Sequence, residues 1–457
     1  MSGTFSSFNT ALSALRYNRV AMEVASGNVA NAGTEGYARR QVVGQATGAP
    51  TVLSMWSRWD HANLGDGVQA GGINRMVDPL LDARARLEHA ASSFLDARVT
   101  SLNRFETSLS EPGENGIAAA LSAYQAGWHD VANNPGDAAA RSQVLALGET
   151  LRTTIKAQDN AVRTEWADQR SRLSALGTEV NQVASELARL NDGLRSSYVA
   201  GSDAGVLLDQ RDLLTLRLSE LTGSKITINQ DSTVDVTVAG QALVTGNVAG
   251  TVTVTGATEL ADAGADPVVF AVGGVALTLS AGAVGGTQTV MNNDLPDHLA
   301  SLDSFVGQLV SQVNTQHAAG AKQNGDPGGA FFSGSTAADL AVAITTAADI
   351  AAGDPTKGGL DGGNATALAG LDMGSRSYRE TITSFGVKIA SAQRGAINQS
   401  VLASQVDASR EALSGISIDE EMVNLLAAQR GYEGASRVLT TIDSVLDTLI
   451  NRTGLLR

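Results

Sequence analysis

The histidines are the side chains best suited to acid–base or metal chemistry near neutral pH, because an unperturbed imidazole titrates there. The chain has five of them: His61, His89, His129, His298 and His317. No two stand three or four residues apart, the spacing that would bring a pair of metal ligands together on one helix. The chain also has no cysteine, which excludes thiolate ligands, disulfides and cysteine nucleophiles. This pattern favours solvated or packed histidines and predicts no metal site.

One stretch has the loose form of a dinucleotide-binding loop. Gly65–Ala70 reads Gly-Asp-Gly-Val-Gln-Ala, which fits G-x-G-x-x-G/A. No buried strand is predicted before it and no helix directly after it, so it lacks the context in which such a loop holds a pyrophosphate. The sequence also contains no G-x-S-x-G elbow, no P-loop and no EF-hand loop. We therefore expect no cofactor, no catalytic residue and no enzymatic activity.

The overall charge excludes two classes of partner. The formal net charge is -15 and the pI is about 4.8, and an acidic surface repels both nucleic acid and anionic membranes. The uncharged stretch Val268–Gly286 holds five glycines and predicts a hairpin, Val268–Val272 and Val275–Ser280 turned at Gly273-Gly274, rather than a membrane span. The N-terminus lacks the basic segment and apolar core of a cleavable signal peptide.

An apolar stripe marks the end of the chain. Its residues recur at three- and four-residue steps, which places them on one face of a helix from Ile418 to Ile450. They are Ile418, Met422, Leu425, Tyr432, Leu439, Ile442, Leu446 and Leu449. Asp419, Glu420 and Glu421 concentrate negative charge in the first turn, where the helix dipole favours it. A single helix of this kind is marginal in water, so the stripe needs a partner.

A matching stripe begins the chain and offers one partner. It consists of Phe5, Phe8, Leu12, Leu15, Met22 and Val29. The pattern leaves two arrangements open, because the two ends could pair or each could pack against the domain next to it. It also leaves open whether the stripes close the core of one molecule or contact copies of the same or related chains.

Between these ends the apolar periodicity predicts mainly helix. The predicted helices are Asp78–Leu109 with Asp78 as N-cap, Ile117–Val131, Leu145–Leu194, Val206–Leu221, Leu295–Val313 and Tyr378–Leu413. The third carries a seven-residue repeat that is typical of a long helix in a bundle. Lys225–Thr289 is rich in Thr, Val and Gly and alternates in places, which predicts strands. Gly320–Gly374 predicts loops, brief strands and one short helix.

These elements predict a mainly α fold with an inserted all-β domain, built from discontinuous and nested domains. We expect residues 1–36 and 414–457 to form a terminal helical domain in which the N- and C-terminal helices pair as a coiled coil. Residues 37–223 and 290–413 would form a long-helix bundle core domain with short strands. Residues 224–289 would form the inserted β domain.

Both ends of the chain resemble the bacterial flagellar rod, hook and hook-associated proteins. Ala25–Tyr37 is similar to their N-terminal signature, an Asn-rich run that leads into a tight turn. The residues that match this turn motif are Asn28, Asn31, Gly36 and Tyr37. Ser414–Leu426 and Ala428–Tyr432 look like the terminal segment of the members at the hook–filament junction. Arg39-Arg40-Gln41 and the long helical middle also favour those members over hook or rod proteins.

The resemblance implies a structural protein of the flagellum that joins hook to filament and serves as a platform for filament assembly. Such a protein is secreted through the flagellar type III channel without a cleavable signal and assembles outside the cell as a ring. Its terminal helices would pack against further copies of itself, with the two apolar stripes as the assembly interface. Its other partners would be hook protein on one side and the next junction protein on the other. A cytoplasmic export chaperone would bind the C-terminal helix. The alternatives are another flagellar axial protein, from hook or distal rod, and a secreted helical adhesin or binding module.

Overall fold

The computed structural model describes residues 2–47, 67–358 and 360–451, with side chains described from residue 7 to residue 448 of those ranges. Helices dominate this part of the chain. They are α1 (Ser2–Ala30), α2 (Pro79–Ser108), α3 (Ile117–Asn133), α4 (Ala138–Ala200), α5 (Gly205–Thr222), α6 (Gly282–Thr289), α7 (Leu295–Ala318), α8 (Gly363–Ala369), α9 (Ser375–Ser414) and α10 (Ile418–Asn451). The mainly helical fold class is confirmed.

Short strands make up most of the remaining regular structure of these ranges. They are β1 (Arg40–Thr47), β2 (Gly67–Arg75), β3 (Lys225–Ile228), β4 (Val234–Val238), β5 (Gln241–Thr245), β6 (Val248–Ala249), β7 (Val252–Thr255), β8 (Val269–Val272), β9 (Val275–Leu277), β10 (Phe332–Ser333) and β11 (Ala341–Val342). All of the sheets that they form are antiparallel.

Local sequence sets the ends of the long helices. Asp78 is the N-cap of α2: its carboxylate accepts a hydrogen bond of 2.8 Å from the backbone N–H of Leu80, as predicted. Asp137 caps α4 in the same way. Gly201 ends α4 with a positive φ of 64°, a conformation that glycine adopts without strain. Between these caps α4 runs for 63 residues, beyond both predicted ends at Leu145 and Leu194.

The strands β3–β9 form two sheets, in the orders β3-β4-β5-β6 and β7-β8-β9, beside the C-terminal half of α4. The predicted hairpin is confirmed, since β8 and β9 pair around Gly273-Gly274, both with positive φ. The prediction of β structure as far as Thr289 is wrong, because α6 begins at Gly282. The glycines of α6 let it pack closely against α2. A Cβ at Gly286 would overlap the carbonyl oxygen of Phe94 on α2, so only glycine allows this approach.

Two hydrophobic cores share the long helix α4. One combines its C-terminal half with α2, α5, α6, part of α9 and the strands, and it contains Trp166. The other combines its N-terminal half with α3, α7, α8 and the start of α9, and it contains Trp128. Strand residues such as Val236 and Phe270 belong to the first core. The strands therefore bury their apolar faces against the helices.

The segment between α7 and α9 consists of loops, two short strands and α8, as predicted. Buried polar side chains hold its loops in place. Arg141 donates to the carbonyl oxygen of Ile350 at 2.6 Å. His317 Nε2 accepts from the N–H of Ala351 at 2.9 Å, so Nδ1 carries the proton and donates to the carbonyl oxygen of Gly329 at 2.7 Å. Burial lowers the pKa of His317 and keeps the ring neutral.

The chain ends lie together at one side of the molecule. After α9, residues Gly415–Ser417 lead into α10, which lies beside α1. The helix α1 extends to Ala30, into the Asn-rich run of the Ala25–Tyr37 segment. Within the described ranges no helix combines the length and apolarity needed to cross a bilayer.

Candidate functional site

The two segments with the flagellar resemblance meet at the base of α1 and α10, around Asn28. This side chain is completely buried and makes four hydrogen bonds. Its Nδ2 donates to the carbonyl oxygen of Arg40 and to Glu421 Oε2, each at 2.9 Å. Its Oδ1 accepts from the Tyr37 hydroxyl at 3.0 Å and from the N–H of Arg40 at 3.1 Å. One asparagine thus joins the turn after α1 to the first turn of α10.

Glu421 is the matching residue on α10, and only 2% of its surface is exposed. A buried carboxylate is costly unless it is paired and hydrogen-bonded. Arg39 supplies the charge, with its Nη2 2.7 Å and its Nε 2.9 Å from Glu421 Oε1. Arg39 also reaches the exposed Glu420 at 3.2 Å, and its N–H donates to the carbonyl oxygen of Ser414. The turn after α1 is therefore bonded to both sides of the α9–α10 connection.

A second layer of charge ties this region to α5. Arg40 Nη2 donates to Asp209 Oδ2 at 3.0 Å. Arg75, at the end of β2, donates from Nε to Asp209 Oδ1 at 2.9 Å and from Nη2 to Asp212 Oδ2 at 2.8 Å. We call the whole group the polar clasp, formed by Asn28, Tyr37, Arg39, Arg40, Arg75, Asp209, Asp212 and Glu421. It connects both chain ends to the body of the molecule.

The predicted turn motif contributes the backbone shape of the clasp. Gly36 has a positive φ of 76°, and a Cβ there would overlap the side chain of Leu213 on α5. Asn31 donates from its side chain to the carbonyl oxygen of Gly27 and so helps to end α1. Burial raises the pKa of Tyr37, which keeps its hydroxyl protonated and able to donate to Asn28. The Arg40 guanidinium lies 4.9 Å from the centre of the Tyr37 ring.

Above the clasp, α1 and α10 run antiparallel and touch through small side chains. Asn28 bonds Glu421, and Asn18, ten positions earlier, lies against Gly431, ten positions later. The buried residues of the contact are Ala11 and Ala25 on α1 and Ala428, Ala435 and Ile442 on α10. Together with Glu421, the buried α10 residues recur every seven positions. Alanine at these positions allows the two backbones to lie close together.

The β1–β2 ribbon covers one side of this helix pair. Gly44 approaches the ring of Tyr17, and Gly67 approaches Ser13 and Thr10. Those three α1 residues recur at three- and four-residue steps and share one face. The predicted stripe of α1 follows a different series on the opposite face. Since the two helices are antiparallel, the stripes of α1 and α10 then flank the contact on the same side. No other described element of the chain covers this side, which we call the uncovered side.

On that uncovered side, large apolar residues remain accessible to solvent. Ile418 is 53% exposed, Met422 51%, Phe8 40% and Tyr432 39%. Seven other predicted stripe residues are half-buried: Leu12, Leu15, Met22, Val29, Leu425, Leu439 and Leu446. Ile442 is buried in the contact. Phe5 and Leu449 lie outside the residues whose side chains are described.

The sequence prediction of this site missed two groups of residues. The first is the exposed apolar set Val423, Leu426, Val438 and Val445, which lies outside the counted stripe of α10. The second is the acidic half of the polar clasp, because Asp209 and Asp212 are far from Arg40 in sequence. The seven-residue spacing from Glu421 through Ala428 and Ala435 to Ile442 was the one available signal of the small-residue contact.

The remaining candidates for chemistry are dispersed. Among the described residues, no three His, Asp or Glu side chains converge in a way that could hold a metal ion. His61 and the first two residues of the Gly65–Ala70 pattern lie outside the described ranges. Gly67 begins β2, an exposed strand, and no helix follows until α2. His298 is buried and bonds Gln158, and burial lowers its pKa to about 4.

Comparison with known proteins agrees with the resemblance at the two ends and extends it to the middle. Residues 102–332, just over half of the chain, match the family described as flagellar hook-associated protein FlgK helical domain. Residues 8–37 match the flagella basal body rod protein family, and residues 409–452 match the flagellar basal body rod FlgEFG protein C-terminal family. The two terminal segments thus match families named for rod proteins, whereas the middle of the chain matches the family of hook-associated proteins.

Individual relatives cover nearly the whole chain. Flagellar hook-associated protein 1 of Bacillus subtilis (strain 168) is 25% identical over 99% of both chains. Flagellar hook-associated protein 1 of Escherichia coli (strain K12) is 24% identical over 97% of this chain and 99% of its own. A solved structure, the flagellar hook junction protein FlgK from Burkholderia pseudomallei, aligns with a TM-score of 0.50 at 27% identity, over 55% of this chain and 46% of its own. The chain belongs to the flagellar hook-associated protein FlgK family and is a structural component of the bacterial flagellum.

Proposed function

We propose that this chain is a junction subunit that joins hook to filament, and that the uncovered side of the α1–α10 pair is its assembly surface. The observation that carries the proposal is the row of large apolar residues on that side, Phe8, Ile418, Met422 and Tyr432. Isolated exposed apolar residues are ordinary, but several that share one face with further half-buried apolar residues mark a contact with another molecule.

The packing of the helix pair explains why this row is left over. The two helices meet mostly through alanines, so the larger side chains of the stripes, apart from Ile442, are left beside the contact. Burial against a neighbouring copy would remove this apolar surface from water at about 25 cal/mol per Å². A contact between different faces of identical copies closes into a ring or continues as a helix. Hook protein on one side and the next junction protein on the other are the partners that the family membership suggests.

We propose the nested arrangement predicted from the sequence as the basis of this role. The terminal domain would comprise residues 1–36 and 414–457, the core domain residues 37–223 and 290–413, and the β domain residues 224–289, in which the strands β3–β9 are followed by the helix α6. The polar clasp supports the first boundary, because it lies where both terminal helices leave the body. The seven-residue spacing of buried α10 residues supports coiled-coil pairing of α1 with α10. The role requires no catalytic group and no cofactor.

The exposed apolar side of the α1–α10 pair also bears on how the chain would reach the hook–filament junction. An exposed apolar face promotes premature association in the cytoplasm, so a chaperone that covers α10 before export would keep the chain available. Export through the flagellar type III channel would need no cleavable signal. The mature location would be the extracellular flagellum.

A substitution on α10 tests the assembly surface. Met422→Asp places a charge in the apolar row at a position that is half exposed in the monomer, so the fold should persist. The proposal predicts hooks without filaments, and flagellin shed into the medium, when this variant replaces the chain in cells. Thr441→Asp, at an exposed polar position of α10, is the matched control and should support normal filaments. Normal filaments with Met422→Asp would contradict the proposal.

A further inference from the structure

His89 lies on α2 between carboxylates from two other helices. Its Nε2 is 2.9 Å from Asp407 Oδ2 on α9, and its Nδ1 is 3.5 Å from Glu220 Oε1 on α5. A neutral imidazole has a single ring N–H, so one nitrogen would turn its lone pair towards a carboxylate. Only the imidazolium donates on both sides. The arrangement therefore requires a protonated ring.

The arginines nearest to the two carboxylates are already shared. Glu220 also pairs with Arg217 at 3.0 Å, but Arg217 is bound to Glu179 as well. Asp407 lies 3.7 Å from Arg410, whose closer partner is Asp82 at 2.8 Å. Neither arginine is therefore free to replace the imidazolium between α5 and α9.

The neighbouring residues of α2 add no second cation to the contact. Glu88 accepts a hydrogen bond of 2.6 Å from Gln399 on α9 and lies 3.6 Å from Arg84. Arg86 is partly buried, and the carboxylates that act on it are Asp82 and Asp212 rather than Glu220 or Asp407. Among the described residues, His89 is thus the titratable group that bonds the facing carboxylates of both α5 and α9.

We propose that His89 is a proton-dependent tie that holds the C-terminal part of α9 to α2 and α5, and that it opens in alkaline solution. Asp407 lies eleven residues before α10 begins at Ile418, so the tie also steadies the connection that directs α10. When the ring loses its proton to solvent, one carboxylate loses its donor and Glu220 and Asp407 repel each other across a neutral ring. The tie does not depend on assembly of the flagellum.

The direction in which the pKa of His89 shifts determines the pH range over which the tie stabilises the fold. The carboxylates of Glu220 and Asp407 raise the pKa of His89 to about 9, against an opposing effect of partial burial. In the unfolded chain a histidine titrates near 6.5. A raised pKa means that the stabilisation is complete below about pH 6.5 and is lost as the pH rises through about 9.

Two measurements on the whole chain test the tie. A nuclear magnetic resonance titration of the histidine side chains should place the His89 titration near pH 9. Hydrogen exchange of residues 403–414, compared at each pH between wild type and His89→Gln, should show protection that is about ten-fold higher in wild type at pH 7 and equal at pH 10. His129→Gln is the matched control and should follow wild type throughout.

Several outcomes would overturn the proposal. A His89 titration at or below pH 6.5 would do so, as would protection of residues 403–414 that depends on pH equally in wild type and His89→Gln. If His89→Gln does not fold, Asp407→Asn provides the second variant. It removes one of the two carboxylates and should move the His89 titration downwards, and an unmoved titration would refute the tie.

Discussion

The side chain of Asn28 connects the two terminal segments of the chain through its hydrogen bonds. Its amide bonds Glu421, Tyr37 and both backbone groups of Arg40. Each of these partners is at least half-buried, so none can exchange the lost bond for water without rearrangement. An unsatisfied buried polar group costs about 1–3 kcal/mol, and a carboxylate such as Glu421 costs more.

We expect Asn28→Ala to lower the free energy of unfolding by about 3 kcal/mol. The first region to loosen should be the start of α10, because Glu421 Oε2 then loses its donor while Arg39 and Asn424 remain on Oε1. Urea denaturation followed by circular dichroism measures the loss. Asn31→Ala, in the same turn motif but with a single backbone hydrogen bond from its amide, should cost about 1 kcal/mol or less. Equal losses of unfolding free energy for Asn28→Ala and Asn31→Ala would contradict the central role of Asn28 in the polar clasp.

Sequence reasoning identified half of the clasp and could not identify the rest. Asn28, Gly36 and Tyr37 form a recognisable motif within nine residues. Asp209 lies 169 positions from Arg40, and no local pattern joins them. Glu421 was visible as an acidic residue in the first turn of a helix, where the helix dipole already accounts for it. Its burial depends on Arg39 and Asn28 arriving from the other end of the chain.

At the scale of elements, small and large apolar side chains of α1 and α10 have different positions: small ones lie in the contact between the helices, and most large ones lie beside it. Periodicity marks the large residues, and it left open whether these face each other or contact further copies of the chain. Small residues make most of the contact between the two helices, and most of the large residues flank it. A pattern of hydrophobicity gives little weight to alanine, so it located both helices but did not identify the line along which they meet. For the same reason it did not distinguish Ile442, which is buried, from Met422, which is half exposed.

Ala428→Leu should separate the two helices. Adding three carbons where α1 lies directly opposite overfills the contact and costs about 1–3 kcal/mol. The expected result is faster amide exchange along α10 with no change in α4, measured by hydrogen–deuterium exchange. Ala427→Leu is the matched control, since that neighbouring alanine faces solvent and should tolerate the larger side chain. If Ala428→Leu exchanges as slowly as wild type, the two helices do not depend on a small-residue contact.

The body of the molecule shows where element prediction succeeds. The seven-residue repeat from Leu145 to Leu194 predicted α4 because every turn of that helix faces a core. Gly282–Thr289 failed because four small residues and threonines resemble a turn until Phe94 of α2 lies against Gly286. The two cores could not be foreseen either, since Val236 and Phe270 join helices that lie far from them in sequence.

At the scale of the whole molecule, the arrangement separates a body with its own cores from a terminal pair with an uncovered side. The body is closed by two clusters of completely buried aromatic and aliphatic residues. The pair is held at its base by the polar clasp and along its length by alanines. This division suits a subunit whose body keeps its shape while its ends await neighbouring copies.

Hydrogen exchange of the terminal helices tests the assembly account most directly. Amides of residues 7–30 and 418–448 should exchange at least ten-fold faster in the free chain than in intact hook–filament particles, because burial of the apolar row suppresses local opening only after assembly. Amides of α4 should exchange at the same rate in both states and serve as the internal reference. Terminal helices that exchange equally slowly in the free chain and in the particle would contradict the account.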